Sequence, residues 1–173
     1  KIPAKFFSKR LLTHLEIADS IYETVQNLTD ICQPDVKILF TVSPVRHVRD
    51  GIAENTLSKS KLFAALHEIL LQFDHCTYLP VYEIMMDDLR DYRFYKEDML
   101  HPNAQAVRYI FEKFGSAAFS EQTMDFVEEN FKIGQALNHK PFDENSPQHQ
   151  EFLKRLNARI AAQQAKVNHK IFS

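Results

Sequence analysis

Apolar residues recur at three- and four-residue spacing in several stretches of the chain, and short runs rich in β-branched residues lie between these stretches. Such spacing places apolar side chains on one face of a helix, whereas a short apolar run bounded by polar residues is typical of a buried strand. The pattern predicts helices over residues 8–31, 57–73 and 102–114. It predicts a strand covered on both faces over residues 36–42 and a second parallel strand over residues 76–84, in which Pro80 argues against an interior position.

The alternation of helices and strands predicts an α/β fold with parallel strands. Two strands leave the faces and edges of a parallel sheet short of neighbours. We therefore expect further strands, supplied by a preceding segment, by a partner chain in a homo-oligomer or by a swapped arrangement. The polar segment 43–56 follows the first strand, at the edge of the sheet where open α/β folds bind their ligands.

The region beyond Gly115 has no strand signal and predicts two long helices, over residues 121–137 and 148–170, joined by a polar connection. Apolar residues form a stripe on each helix, and the two stripes would pack together as a C-terminal helical hairpin. A hairpin of this kind indicates an appendage or assembly element more than a site of chemistry. Gly115 itself is interpreted as the C-cap of the preceding helix.

Composition and charge narrow the classes of partner. With 21 Lys and Arg against 23 Asp and Glu, the net charge of -2 gives no global field that would attract nucleic acid or an anionic membrane. The presence of only three glycines argues against a Gly-rich phosphate loop, and no apolar run approaches the roughly 20 residues of a membrane span. The two cysteines give little support to a disulfide framework or a zinc site.

The first residues are Lys-Ile-Pro-Ala-Lys, with neither an initiator Met nor the apolar core of a signal peptide. We therefore expect a processed product or a piece of a longer protein. The sequence leaves the cellular location open, with a cytoplasmic one slightly favoured because it contains no signal peptide or transmembrane segment.

The sharpest local feature is Asp98-x-x-His101-Pro102. An Asp three residues before a His can fold back and accept a hydrogen bond from imidazole Nδ1, which leaves Nε2 free to act as a base. The alternative is an ordinary surface Asp beside a His that caps the following helix. The pair is therefore a catalytic hypothesis that depends on the residues around it.

Polar groups that follow the first strand are the residues on which a catalytic role of this pair would depend. Arg46 and His47 could face a substrate or stabilise developing negative charge, or Arg46 could pair with Asp50 or Glu54 and hold the loop. Residues in the first turn of the next helix could contact a ligand, although capping explains Ser58 equally well. The candidate site-lining residues are Ser43, Arg46, His47, Asn55, Ser58 and Lys59.

Several longer motifs are distinctive. They are Thr-Val-Ser-Pro-Val-Arg-His at 41–47, the run 55–60, Tyr-Glu-Ile at 82–84, the acidic and aromatic run 88–95, and Asp-Met-Leu-His-Pro at 98–102. Together they resemble the GSCFA family over roughly residues 1–119. The resemblance implies the C-terminal part of an SGNH-like (GDSL-type) three-layer α/β/α sandwich over 1–119, followed by a helical extension over 120–173. It also implies that His101 is a general base and Asp98 its orienting carboxylate.

The function that this resemblance implies is a serine-esterase-type acyl hydrolase, acting on a small ester or an O-acylated carbohydrate or lipid. The Gly-Ser-Cys-Phe-Ala block that names the family and would bring the serine precedes this segment in such proteins, and it is absent here. Residues 115–119, Gly-Ser-Ala-Ala-Phe, follow the Asp-His motif and are not its counterpart, and no Gly-x-Ser-x-Gly elbow occurs. We therefore expect this chain alone to be inert.

Two other functions stay open. The chain could be a noncatalytic binding or assembly module in which the same residues serve as scaffold. It could also be a metal-dependent phosphoesterase, but the eight histidines show no ligand spacing and no His-Glu-x-x-His motif occurs. We expect neither a metal nor another cofactor.

Overall fold

The structure is a computed structural model that describes residues 3, 6–32 and 36–172. It is mixed α/β, as the order of predicted elements indicated, with helices in the majority. The chain divides into two compact units, Lys1–Glu112 and Lys113–Ser173. No helix within the described ranges is long and apolar enough to cross a membrane.

The first helix, α1 (His14–Cys32), begins at a capping box. The Thr13 hydroxyl oxygen accepts the Glu16 backbone N–H at 3.2 Å, and the Glu16 carboxylate accepts the Thr13 N–H at 2.9 Å. Arg10 also donates to this carboxylate, and the Arg10 guanidinium, followed by the Thr13 bonds, lowers the pKa of Glu16 to about 2. The helix therefore starts directly after Thr13 and not at the predicted Ser8.

The described sheet consists of two parallel strands, β1 (Ile38–Phe40) and β2 (Cys76–Tyr78). Both are shorter than the predicted strands, and Ile38 lies opposite Cys76. Leu39, at the centre of β1, is 46% exposed, so the prediction that this strand is covered on both faces is wrong for the described residues. Ile38 and its neighbours pack against a cluster that includes Ile21, Val25, Ile69, Leu70 and Phe73.

The second helix, α2 (Ile52–Gln72), begins earlier than predicted. Its N-cap is Gly51, whose φ of 113° lies in a region that favours glycine. Ser58 lies inside the helix, so the alternative in which Ser58 is a cap is wrong. α2 packs against α1, and Ile69 of α2 and Val25 of α1 are both fully buried there.

Pro80 ends β2, although the apolar pattern predicted strand as far as residue 84. A short helix, α3 (Val81–Glu83), continues into a π-helix over Ile84–Leu89, and a 3₁₀ turn follows at Tyr92–Phe94. The strand ends early because proline lacks the N–H that a strand interior requires, and a helix follows because proline is compatible with a helix start. This helical region contributes to an apolar cluster formed by Met85, Leu89, Tyr95 and Ala106.

Three further helices follow, α4 (Ala104–Ala118), α5 (Glu121–Leu137) and α6 (Pro147–Gln164). α4 runs through Gly115, so the interpretation of this residue as a C-cap is wrong. Serine and alanine continue the helix after the glycine, and the N–H of Phe119 donates to the Gly115 carbonyl at 2.9 Å.

Within the second unit, α5 and α6 pack against each other. Gln163, which is 1% exposed, donates from Nε2 to the Phe126 carbonyl at 3.0 Å and to Asn130 Oδ1 at 2.8 Å. Arg159 donates to the Glu129 carboxylate at 2.7 Å and holds the pKa of that carboxyl below its usual value. The end of α6 lies before the predicted residue 170.

Replacing Ile69 by Ala should lower the free energy of unfolding by about 2–5 kcal/mol. The cause is a cavity, since Ile69 is 1% exposed within the apolar cluster of α1, α2 and the sheet. Leu71, on the same helix but 74% exposed, is the matched control, and Leu71→Ala should cost less than about 0.5 kcal/mol. Urea denaturation followed by circular dichroism measures both, and equal losses would contradict the packing.

Candidate functional site

The loop of residues 96–101, called here the Asp–His loop, lies between the 3₁₀ turn and α4. Backbone pairing closes it at its base. Tyr95 and Pro102 form an isolated antiparallel bridge, and the Lys96 N–H donates to the His101 carbonyl at 2.8 Å. The two ends of the loop are therefore fixed relative to each other, although the loop itself belongs to no helix or strand.

Asn103 joins this loop to α4. Its N–H donates to the Phe94 carbonyl at 2.9 Å, and its Nδ2 donates to the Arg93 carbonyl at 2.6 Å. Its Oδ1 accepts the Ala106 N–H at 3.0 Å and so caps the helix. The alternative in which His101 caps this helix is therefore wrong. Sequence reasoning missed Asn103, although an asparagine directly before a helix is a recognised N-cap signal.

Asp98 accepts three hydrogen bonds inside the loop. Its Oδ1 accepts the backbone N–H groups of Leu100 at 2.9 Å and His101 at 3.0 Å, and its Oδ2 lies 2.7 Å from His101 Nδ1. These bonds lower the pKa of Asp98 to about 2, with the His101 backbone N–H contributing most. The carboxylate is therefore ionised at neutral pH.

The turn that permits these bonds requires an unusual backbone conformation at Met99. Its φ is 60°, in the left-handed region that non-glycine residues seldom adopt. Residues held in such conformations cluster at functional sites, where surrounding contacts maintain them. The residue type does not indicate this conformation, because methionine has no special preference for it.

The His101 imidazole is open on the side away from Asp98. The His101 and Asp98 side chains are 53% and 44% exposed, and no described residue forms a hydrogen bond with Nε2. If the proton is on Nδ1, facing the carboxylate, the neutral ring carries its lone pair on Nε2. In this arrangement Nε2 can accept a proton while the carboxylate fixes the orientation of the ring.

Arg46 connects the segment after β1 to the Asp–His loop. Its Nη1 donates to the Met99 carbonyl at 3.2 Å, and its guanidinium carbon lies 4.6 Å from the ring centroid of Tyr95 and 5.4 Å from that of Tyr92. It forms no ion pair with a carboxylate among the described residues, so the alternative in which Arg46 pairs with Asp50 or Glu54 is wrong. Sequence reasoning missed the tyrosine contacts, which join residues far apart in the chain.

Three of the candidate residues line one small cavity, called here the Arg46 cavity. Arg46, Asn55 and Lys59 face a space of about 120 Å³ that is also bounded by Tyr82 and Met86. The Lys59 ammonium lies 5.6 Å from the centroid of the Tyr82 ring. The structure thus brings the two cations and the amide of these residues to one cavity. The sequence predicted all three in the loop after β1 and in the first turn of the next helix.

Other contacts tie the segment after β1 to α2. Asn55 Oδ1 accepts the His47 N–H at 2.7 Å, and Lys59 Nζ donates to the Ser43 carbonyl. The Ser43 hydroxyl oxygen accepts the Val45 N–H at 3.3 Å and supports the local turn. These bonds hold the segment in place, and they account for Ser43 without a ligand.

His47 and Ser58 lie apart from that cavity. Both line a separate groove of about 710 Å³ that also includes Lys9 and Asp50. His47 Nδ1 lies 3.5 Å from the Asp50 carboxylate, which also pairs with Lys9. Of the sequence-predicted lining residues, the structure therefore places Arg46, Asn55 and Lys59 at the Arg46 cavity, His47 and Ser58 at the separate groove, and Ser43 at neither.

Metal ligands do not gather in the described parts of the chain. No group of three or more His, Cys, Asp or Glu side chains there could hold a metal ion.

The fold and the site define a mixed α/β protein that carries an Asp–His pair on a loop between two helical segments. Residues 1–114 match the GSCFA family, and residues 131–171 match the C-terminal domain of GSCFA domain proteins. The chain belongs to the GSCFA family, which confirms the resemblance drawn from its motifs. No curated protein and no solved structure matches it.

Removing the imidazole should raise the pKa of Asp98, but not as far as the ordinary value of the carboxyl group. In His101→Ala the backbone N–H bonds to Oδ1 remain, so the carboxyl should still titrate below its ordinary pKa of 3.8. Because the folded-state pKa is depressed, the stabilisation that it contributes is present above the ordinary pKa and is lost as the pH falls toward about 2. Carboxyl ¹³C NMR titration measures both proteins, and a wild-type pKa at or above the ordinary value would contradict the described bonds.

Proposed function

We propose that this chain supplies the base and its orienting acid to a serine-esterase-type acyl hydrolase. The observation that carries the proposal is the 2.7 Å contact between Asp98 Oδ2 and His101 Nδ1, in a ring that is half exposed and has no described hydrogen bond at Nε2. Membership of the GSCFA family supports it, since that family resembles the SGNH (GDSL-type) esterases. The left-handed conformation at Met99 adds support, because it lies between the two residues.

In the proposed reaction, His101 Nε2 takes the proton of a serine hydroxyl as the serine oxygen attacks the ester carbonyl. The same nitrogen then gives the proton to the departing alcohol, which leaves an acyl-serine. A water molecule, deprotonated by His101, then attacks the acyl group, and the bond to the serine oxygen breaks as His101 returns the proton to that oxygen, which releases the acid and restores the serine hydroxyl. Asp98 keeps Nδ1 protonated and stabilises the imidazolium, and its pKa of about 2 keeps it ionised throughout.

The serine would come from the Gly-Ser-Cys-Phe-Ala block, which lies outside these residues. We infer that residues 1–119 form the C-terminal part of an SGNH-like three-layer α/β/α sandwich and that residues 120–173 form a helical extension. The exposure of Leu39 supports this inference, because parallel sheets are normally covered on both faces. Another segment of the protein, or a second copy of it, would supply the covering layer.

The proposed substrate is a small ester or an O-acylated carbohydrate or lipid, the class that the family resemblance implies. The exposure of both side chains suits an ester that approaches from solvent. The net charge of -2 favours an uncharged or mixed substrate over nucleic acid.

A noncatalytic binding or assembly module is the second candidate. One observation favours it: among the described residues, no hydroxyl or thiol group forms a hydrogen bond with His101. In such a module the Asp98–His101 contact would stabilise the loop alone, and the pair of helices α5 and α6 would mediate assembly.

Substitution of the base should abolish activity in the intact protein that contains the serine block. We expect His101→Ala to remove nearly all turnover of p-nitrophenyl acetate, and Asp98→Asn to lower kcat by a factor of about 10⁴ or less, because control of the tautomer is lost. His67→Ala, an exposed histidine of α2 outside the candidate site, is the control and should retain turnover. Unchanged turnover in His101→Ala would contradict the proposal.

The isolated chain of 173 residues should not react with a serine-directed fluorophosphonate probe, because no described hydroxyl group forms a hydrogen bond with His101 that would activate it. The intact protein should be labelled under the same conditions, as measured by gel fluorescence. Labelling of a serine within this chain would refute the assignment of the nucleophile to another segment. An intact, folded protein that stays unlabelled would favour the noncatalytic module.

A further inference from the structure

The Arg46 cavity is built largely by one face of α2. Ile52, Asn55, Thr56 and Lys59 all line it, and their spacing places them on the same side of about the first two helical turns. The remaining wall comes from the segment after β1 and from the region of Tyr82. Because both sides belong to the first unit and are tied by hydrogen bonds, the cavity has defined walls.

The charges in this cavity are not balanced. Its lining contains Arg46 and Lys59 and no acidic residue, and neither cation forms an ion pair with a described carboxylate. Their hydrogen-bond acceptors are neutral backbone carbonyls, of Met99 and Ser43 respectively. Lys59 is half-buried, and this burial lowers the pKa of its ammonium group. A bound anion would compensate both charges.

Other groups in the cavity wall also favour the binding of an anion. Asn55 uses its Oδ1 to accept the His47 N–H, so its Nδ2 hydrogens are the part of the amide that can donate to a ligand. The N-terminal end of a helix also carries partial positive charge, and α2 begins at Ile52 on the cavity wall. The rest of the lining is mainly apolar, with Pro44, Val48 and Met86.

We propose that the Arg46 cavity binds the carboxylate of a small organic acid. The carboxylate would lie between the Arg46 guanidinium and the Lys59 ammonium, and a short aliphatic chain would contact the apolar wall. The cavity volume of about 120 Å³ is close to the volume of four water molecules, each of which occupies roughly 30 Å³ in the liquid. This volume suits an acid of the size of propionate. This site requires binding alone, so it does not rest on the proposed hydrolysis.

The test is a titration of the 173-residue chain with sodium propionate, followed by ¹³C NMR of the methyl groups of Met86, Val48 and Ile52. We expect saturable shifts of these signals with propionate and none with sodium chloride at equal ionic strength. Lys59→Gln should weaken the affinity by about tenfold or more, because a charged hydrogen-bond donor to the carboxylate is lost.

Lys61→Gln is the matched control. Lys61 lies on the same helix and also donates to a backbone carbonyl, that of Leu12 at 3.0 Å, but it does not line the cavity. Its replacement should leave the propionate affinity unchanged. If Lys59→Gln does not fold, as judged by its amide NMR spectrum, Lys59→Arg keeps the charge and should bind within a few-fold of the wild type.

Three results would overturn the proposal. The first is a wild-type chain whose methyl signals do not saturate with propionate, and the second is an equal loss of affinity in Lys59→Gln and Lys61→Gln. The third is saturable binding of sodium phosphate with no binding of propionate, which would show that the cavity selects a different oxyanion.

Discussion

The Asp98 carboxylate accepts hydrogen bonds from two backbone N–H groups and from the ring of His101 within a span of four residues. One charged group therefore fixes both the main chain of the Asp–His loop and the orientation of the imidazole. This is why the ring can be positioned although both side chains are partly exposed. Any chemistry at Nε2 depends on these bonds, because they determine which nitrogen is open.

Contacts from two directions support the loop. Asn103 bonds the chain before the loop and also caps α4, so the loop is joined to a rigid helix. Arg46 reaches it from the segment after β1 and lies against Tyr92 and Tyr95 while it donates to the Met99 carbonyl. Because Arg46 also lines the cavity beside α2, it is shared between the Asp–His loop and the cavity proposed to bind a carboxylate.

Contacts between residues close together in the sequence can be predicted more readily than contacts between residues far apart in it. A contact between Asp98 and His101 could be predicted because a separation of three residues restricts the geometry by itself. Element boundaries were wrong where a local signal outweighs apolar spacing, as at Pro80, which ends β2, or where a helix continues through Gly115. The tyrosine contacts of Arg46 join residues almost fifty positions apart, and no pattern within one segment could reveal them.

The most direct test of the central claim is the tautomer of His101, measured by long-range ¹H–¹⁵N NMR at a pH where its imidazole is neutral. We expect a protonated Nδ1 that donates to Asp98 and an unprotonated Nε2, and we expect this preference to weaken in Asp98→Asn. A neutral ring that carries its proton on Nε2 in the wild-type chain would contradict the assignment of His101 as a general base oriented by Asp98.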